Sequence, residues 1–118
     1  MANITGRVLS GAVNGRGIKI AGTTSGALAT IHTSTSLAGG AQFDEVYLWA
    51  GNIATTGKAL SLYLGGTTSG ERLKYTVPPQ DGMYLLIPGL RYNNSVKVRA
   101  FAGSACVVTV HGYVNRSA

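Results

Sequence analysis

Strict alternation of apolar and polar positions is the dominant pattern in this chain. From Ala105 to Asn115, Cys106, Val108, Val110, Gly112 and Val114 fall on one side, and Val107, Thr109, His111 and Tyr113 on the other. A period of two with β-branched residues predicts a long strand. Gln42 to Ala50 repeats the pattern, with Asp44, Val46, Leu48 and Ala50 opposed to Phe43, Glu45, Tyr47 and Trp49. Lys58 to Leu64 places Leu60, Leu62 and Leu64 together, and Ser95 to Ala102 sets Val96, Val98 and Ala100 against Lys97, Arg99 and Phe101. In Arg72 to Val77, Leu73, Tyr75 and Val77 are predicted inward and Arg72, Lys74 and Thr76 outward, the pattern of a half-buried strand. Ile18 to Ala21 and Ala27 to Thr33 are shorter strands. Met83 to Ile87 is apolar throughout, which predicts a strand buried on both faces or lying at an interface, ended by Pro88-Gly89.

Glycine, proline and asparagine punctuate these runs at Gly22–Gly26, Gly65–Gly70, Pro78–Gly82 and Asn93-Asn94, residues that supply positive φ or fix a turn. Strand runs about ten residues apart, with no helical period, predict an all-β fold. The expectation is an eight-stranded antiparallel β-sandwich, jelly-roll-like. An immunoglobulin-like sandwich is the alternative, disfavoured by the lack of paired cysteines. Ile18–Gly26 and Leu62–Gly70 echo each other as strand-then-turn units, two hairpins meeting one turn requirement.

Residues 1–17, with Gly6, Gly11, Gly15 and Gly17, read as an extended N-terminal arm ahead of a single domain over residues 18–118. Glycine at this density weakens regular structure. Ile4, Val8, Leu9 and Val13 are nevertheless apolar. The arm is therefore either a frayed terminus or a tether that orders on a neighbour, with Arg7 and Arg16 supplying charge at its two ends.

Composition narrows the function classes. A chain of 118 residues suits one domain that buries roughly two-thirds of its unfolded surface. Only 12% of residues are charged, against about 25% in typical domains. The net charge of +6 comes from ten basic residues scattered singly. An acidic protein surface fits that charge, whereas specific nucleic-acid recognition lacks its usual clustered footprint. Cys106 is the only cysteine, so no internal disulfide forms, and its strand position predicts a small buried hydrophobe. The sequence opens without a signal-peptide pattern, and no apolar run approaches the ~20 residues of a membrane span. Synthesis and first residence in the cytosol are expected.

The chemical inventory points away from catalysis. Asp44 and Glu45 are strand neighbours and face opposite ways, and Glu71 and Asp81 sit in or beside turns. All four acids are expected to be solvated and to form local hydrogen bonds. His32, His111 and Cys106 have no zinc spacing, and no nucleophile elbow, phosphate loop or calcium loop occurs. No enzyme activity, cofactor or metal is expected. Phe43, Tyr47 and Trp49 share one strand face, either as core or as a contact patch of the kind tyrosine and tryptophan favour. Glu45 on that face argues that it is not fully buried.

The closing strand, Val107-Val-Thr-Val-His-Gly-Tyr-Val-Asn-Arg116, resembles the C-terminal strand of small structural proteins of tailed-bacteriophage virions. Val96 to Ala105 is similar to their penultimate hairpin, and Leu60 to Gly70 is similar more loosely; residues 1–57 carry no resemblance. The family includes β-sandwich capsid decoration (cement) proteins and small head–tail or tail components. The resemblance implies a non-catalytic stapling role on the virion capsid surface after assembly in the host cytoplasm. The major capsid protein and further copies of the chain, as dimer or trimer, are the implied partners, with no membrane and no specific nucleic acid. Candidate partner-binding residues are Ile4, Arg7, Val8, Leu9, Val13, Arg16, Phe43, Tyr47 and Trp49. The alternative is a carbohydrate- or receptor-binding β-sandwich of adhesin or lectin type, for which Tyr92, Asn93 and Asn94 form the one loop group joining aromatic and amide side chains.

Overall fold

In chain order the strands are β1 (Ile4–Val8), β2 (Ile18–Lys19), β3 (Ala29–Thr33), β4 (Asp44–Asn52), β5 (Lys58–Gly65), β6 (Arg72–Val77), β7 (Tyr84–Tyr92), β8 (Lys97–Ala102) and β9 (Val108–Ser117), with one 3-10 turn at Ser69–Glu71. They come from a computed structural model that describes residues 4–40, 42–80 and 82–117. Residues 1–3 of the expected arm and Asp81 lie outside the described residues.

Pairing is antiparallel and nested. The hairpin β5–β6 is innermost; β4–β7, β3–β8 and β2–β9 enclose it in turn. Cross-pairs β4–β9 and β5–β8 gather these into two sheets, ordered β1-β9-β4-β7 (with β2 also on β9) and β3-β8-β5-β6. β1 and β2 share one edge of β9, opposite Tyr113–Ser117 and Thr109–Val110 respectively. β4 occupies the whole of the other edge.

The alternation of β4 and β9 decides what is inside. Val46, Leu48 and Ala50 from β4 and Val108, Val110 and Val114 from β9 face Leu60 and Leu62 of β5 and Val98, Ala100 and Ala102 of β8, all buried. Each such Val or Leu contributes about 1.5–3 kcal/mol on burial. Gly112 lies between β9 and β4, where a Cβ would stand 2.1 Å from the Tyr47 carbonyl oxygen; only glycine allows that approach.

Several expectations need correction. The described residues form nine strands, because Ile4–Val8, expected within an arm, extends the first sheet as β1. Leu9, next along, is 1% exposed and lies in the core. β9 begins at Val108, so Cys106 precedes it in a left-handed turn at φ 60° and is exposed. Leu73 faces inward opposite Leu62 yet is 46% exposed, because β6 is the outermost strand of its sheet and is left uncovered at that end. Met83–Ile87 is not buried on both faces: Met83, Tyr84 and Leu85 are exposed, and only Leu86 and Ile87 are buried. β7 also does not stop at Pro88-Gly89. It is an edge strand, where proline costs no ladder bond, and two register shifts against β4 carry it on to Tyr92.

Candidate functional site

The titratable side chains fall into a buried group between the sheets and an exposed group on the outside. In the first, Asp44 from β4 meets His32 from β3 and Arg116 from β9. The Arg116 Nε and Nη2 groups donate to the two Asp44 oxygens at 2.6 and 2.9 Å, a bidentate fork. His32 Nε2 stands 2.7 Å from Oδ2, which also accepts the Thr35 amide at 3.2 Å. The Ser10 amide donates to His32 Nδ1 at 3.0 Å. That bond assigns the lone pair to Nδ1 and the proton to Nε2, so the ring is neutral and donates to Asp44. Burial pushes the Asp44 carboxyl up, but the Arg116 and His32 hydrogen bonds and the Arg116 charge outweigh it and hold the group below its ordinary range. Asp44 is thus buried, not solvated as expected from the sequence.

With Ser10 the cluster contains a serine, a histidine and an aspartate, but without the geometry of a nucleophile. The imidazole meets the Ser10 backbone amide, and the Ser10 hydroxyl accepts from the Thr33 amide at 2.7 Å. Both ring nitrogens are occupied, and His32 and Asp44 are buried. The arrangement ties the β1–β2 loop, β3, β4 and β9 together. Among the described residues no group of three or more His, Cys, Asp or Glu side chains is placed to hold a metal ion.

The exposed group lies on the outer face of the β1-β9-β4-β7 sheet. Phe43, Glu45, Tyr47 and Trp49 project there, half-buried. Side chains directly opposite in an antiparallel pair share a face. Register therefore adds Tyr113 and His111 from β9, opposite Tyr47 and Trp49; Leu85 and Pro88 from β7, opposite the same two residues; and Val8 from β1, opposite Tyr113. The Tyr47 and Tyr113 rings stack at 4.9 Å and 14°, with Trp49 stacked on Tyr113 at 6.1 Å. The Tyr47 hydroxyl donates to Glu45 at 2.5 Å, and Arg91 Nε donates to the same carboxylate at 3.3 Å. Arg91 Cζ also lies 4.4 Å above the Phe43 ring, a cation–π contact. The Tyr47 bond, opposed by desolvation and helped by Arg91, holds the Glu45 carboxyl below its usual range. The same bond, with burial and the Glu45 charge, pushes the Tyr47 hydroxyl up. At neutral pH the one acid described on this face is therefore ionised and matched by Arg91.

The residues singled out from the sequence divide. Ile4, opposite Ser117, and Val8 are 57% and 55% exposed and lie beside the aromatic row. Two patches read separately along the chain, the arm and the β4 aromatics, thus meet on one surface. Arg7 is opposite buried Val114 and falls on the other side of β1. Leu9 is committed to the core and is not free to meet a partner. Val13 and Arg16 are exposed on the β1–β2 loop, where with Gly11, Gly17, Ile18, Lys19, Thr109 and His111 they line a shallow cleft of about 570 Å³. Of the lectin-type loop group, Asn93 is used internally, its Nδ2 donating to the Gly39 and Gln42 carbonyls, whereas Asn94 is exposed. Sequence reasoning missed Tyr113, 43% exposed at the centre of the row, together with Lys19 and His111. The alternation placed Tyr113 and His111 on one face, but only the β4–β9 pairing sets them beside Tyr47 and Trp49.

No family model, curated protein or solved structure matches this chain.

Proposed function

We propose that this chain is a non-enzymatic virion structural protein of a tailed bacteriophage. In this reading it is a capsid decoration protein that staples the head shell by laying the outer face of the β1-β9-β4-β7 sheet on the major capsid protein. The observation that carries the docking role is that face, where Ile4, Val8, Tyr47, Trp49, Tyr113 and Leu85 combine exposed apolar area with stacked rings. Aromatic clusters of this kind dominate binding energy at protein interfaces. The assignment to a virion rests on the resemblance of Val107–Arg116 to phage structural proteins.

The nested pairs β2–β9, β3–β8, β4–β7 and β5–β6 support a jelly-roll reading of the fold, with β1 as an added ninth strand. In the same proposal, copies of the chain associate through the β6–β7 side, where inward-facing Leu73 and Leu90 stay exposed, as do Met83 and Tyr84 at the start of β7. Pro88, the bulges of β7 and the Arg72 and Lys74 side chains of β6 blunt edge-to-edge strand pairing, so contact there is made by side chains.

Co-sedimentation with empty capsids tests the role. A Tyr47→Ala/Trp49→Ala/Tyr113→Ala variant that keeps its β-sheet circular dichroism should lose most of its capsid occupancy. Full occupancy by that variant would overturn the assignment of the face. A second reading, a carbohydrate-binding module, is favoured by the same row of rings, since sugars stack on aromatic faces; selective glycan-array binding with no capsid binding would establish it instead.

A further inference from the structure

We propose that the cleft between the β1–β2 loop and β9 receives a carboxylate-bearing segment of the docking partner, an acidic loop or chain end that lies beside the aromatic row. The proposal rests on the docking reading above and deepens it. Arg16, Lys19 and His111 converge on this cleft, and among the described residues none that lines it is acidic. Neither Arg16 nor Lys19 has an ion-pair partner among the described residues. Of the acids among the described residues, Asp44 is taken by Arg116 and His32, Glu45 by Arg91 and Tyr47, and Glu71 accepts from Thr68 in the β5–β6 turn.

The floor of the cleft is set by a glycine. A Cβ on Gly17 would stand 2.5 Å from His111 Cε1 and 2.6 Å from Thr109 Cγ2, so a larger residue would displace those side chains or the loop. With glycine there, the imidazole lies directly against the loop backbone. Lys19 is opposite Thr109 and therefore shares the outer face, and His111 is opposite Trp49. The cleft is thus continuous with the aromatic row, and a partner covering the row reaches it.

Two cations with an imidazole beside a wide apolar face match an acidic rim around an apolar centre on a protein. Nucleic acid fits less well. The remaining basic residues are dispersed over both sheets rather than continuing the cleft as a stripe, and the rings stack on one another rather than presenting separate platforms for bases.

The test is a titration of the intact protein followed by backbone amide NMR shifts. The probes are a blocked pentaglutamate peptide, a blocked pentalysine peptide, inorganic phosphate and a ten-nucleotide oligothymidylate. Pentaglutamate should shift the Arg16, Lys19 and His111 amides, weaken as salt rises, and lose at least tenfold in affinity in Arg16→Gln/Lys19→Gln with melting unchanged; pentalysine should do nothing. Absence of cleft shifts with pentaglutamate would overturn the proposal. Tighter binding of phosphate or oligothymidylate at the same amides would replace it with a phosphate or nucleic-acid site. Capsid sedimentation separates this outcome from failure of the docking reading. Capsids bound equally well by wild type and Arg16→Gln/Lys19→Gln would remove the cleft and leave the docking role. Capsids that bind neither protein, with the peptide shifts intact, would remove the capsid and leave the cleft.

Discussion

Asp44 is the residue on which sequence and structure part most instructively. Its place among Val46, Leu48 and Ala50 already put it on the core face. What makes a carboxylate tolerable there is His32, twelve positions away, and Arg116, seventy-two positions away, and no local pattern connects the three. Removing one member of a buried, hydrogen-bonded ion pair leaves an uncompensated charge, so Asp44→Ala should cost about 3–5 kcal/mol, measured by urea unfolding. The sign with pH follows from the lowered carboxyl. A group whose folded pKa is depressed contributes stability above its unfolded value, near 3.8, and that contribution is lost as pH falls through the lower folded value. Without Arg116 the desolvation that raises the group is less opposed. Arg116→Gln should therefore begin to unfold at a higher pH than wild type in an acid titration followed by circular dichroism. The same contrast between local pattern and context separates Leu62 from Leu73. Both face inward in register, but only Leu62 is covered. Leu62→Ala should cost about 2–4 kcal/mol and Leu73→Ala under about 1 kcal/mol; equal costs would show that β6 is packed in solution.

At the scale of elements, period-two alternation revealed β4, β5, β8 and most of β9, because each has one face on the core. It could not reveal which strands lie at an edge. That is why β7 read as buried, and why Ile4–Val8, at the head of a stretch with Gly6, Gly11, Gly15 and Gly17, did not read as a strand: a strand whose five residues are all exposed carries no burial pattern. The β1 region is also heterogeneous. Ile4–Val8 contributes a ladder against β9, whereas Leu9 fills the core and Ser10 joins the His32 cluster. Deleting residues 2–8 should lower the melting temperature only modestly. Extending the deletion to residue 15 removes a buried leucine, a loss of about 2–5 kcal/mol, together with the Ser10–His32 bond, and should lower melting sharply. Equal melting of the two deletions by calorimetry would mean that Leu9 and Ser10 are not held as described.

For the whole molecule, nested pairing makes nearly every sheet contact a distant one, and chains dominated by non-local pairing fold in milliseconds to seconds. Apolar side chains of the β6–β7 side are left uncovered. If copies associate through that side, light scattering should show a dimer or trimer that Leu73→Lys converts toward monomer; a clean wild-type monomer at high concentration would remove self-association from the proposal. The pairing of Ile4 with Ser117 has a bearing on display geometry. Ile4 and Ser117, opposed on one rung of the ladder, give cargo attached beyond either residue a shared exit point. That exit lies eight residues along β9 from Thr109, about 26 Å at a strand's rise per residue, so an enzyme or epitope fused beyond Ile4 or Ser117 would sit far from the Arg16–Lys19 cleft but beside the Ile4 end of the docking face.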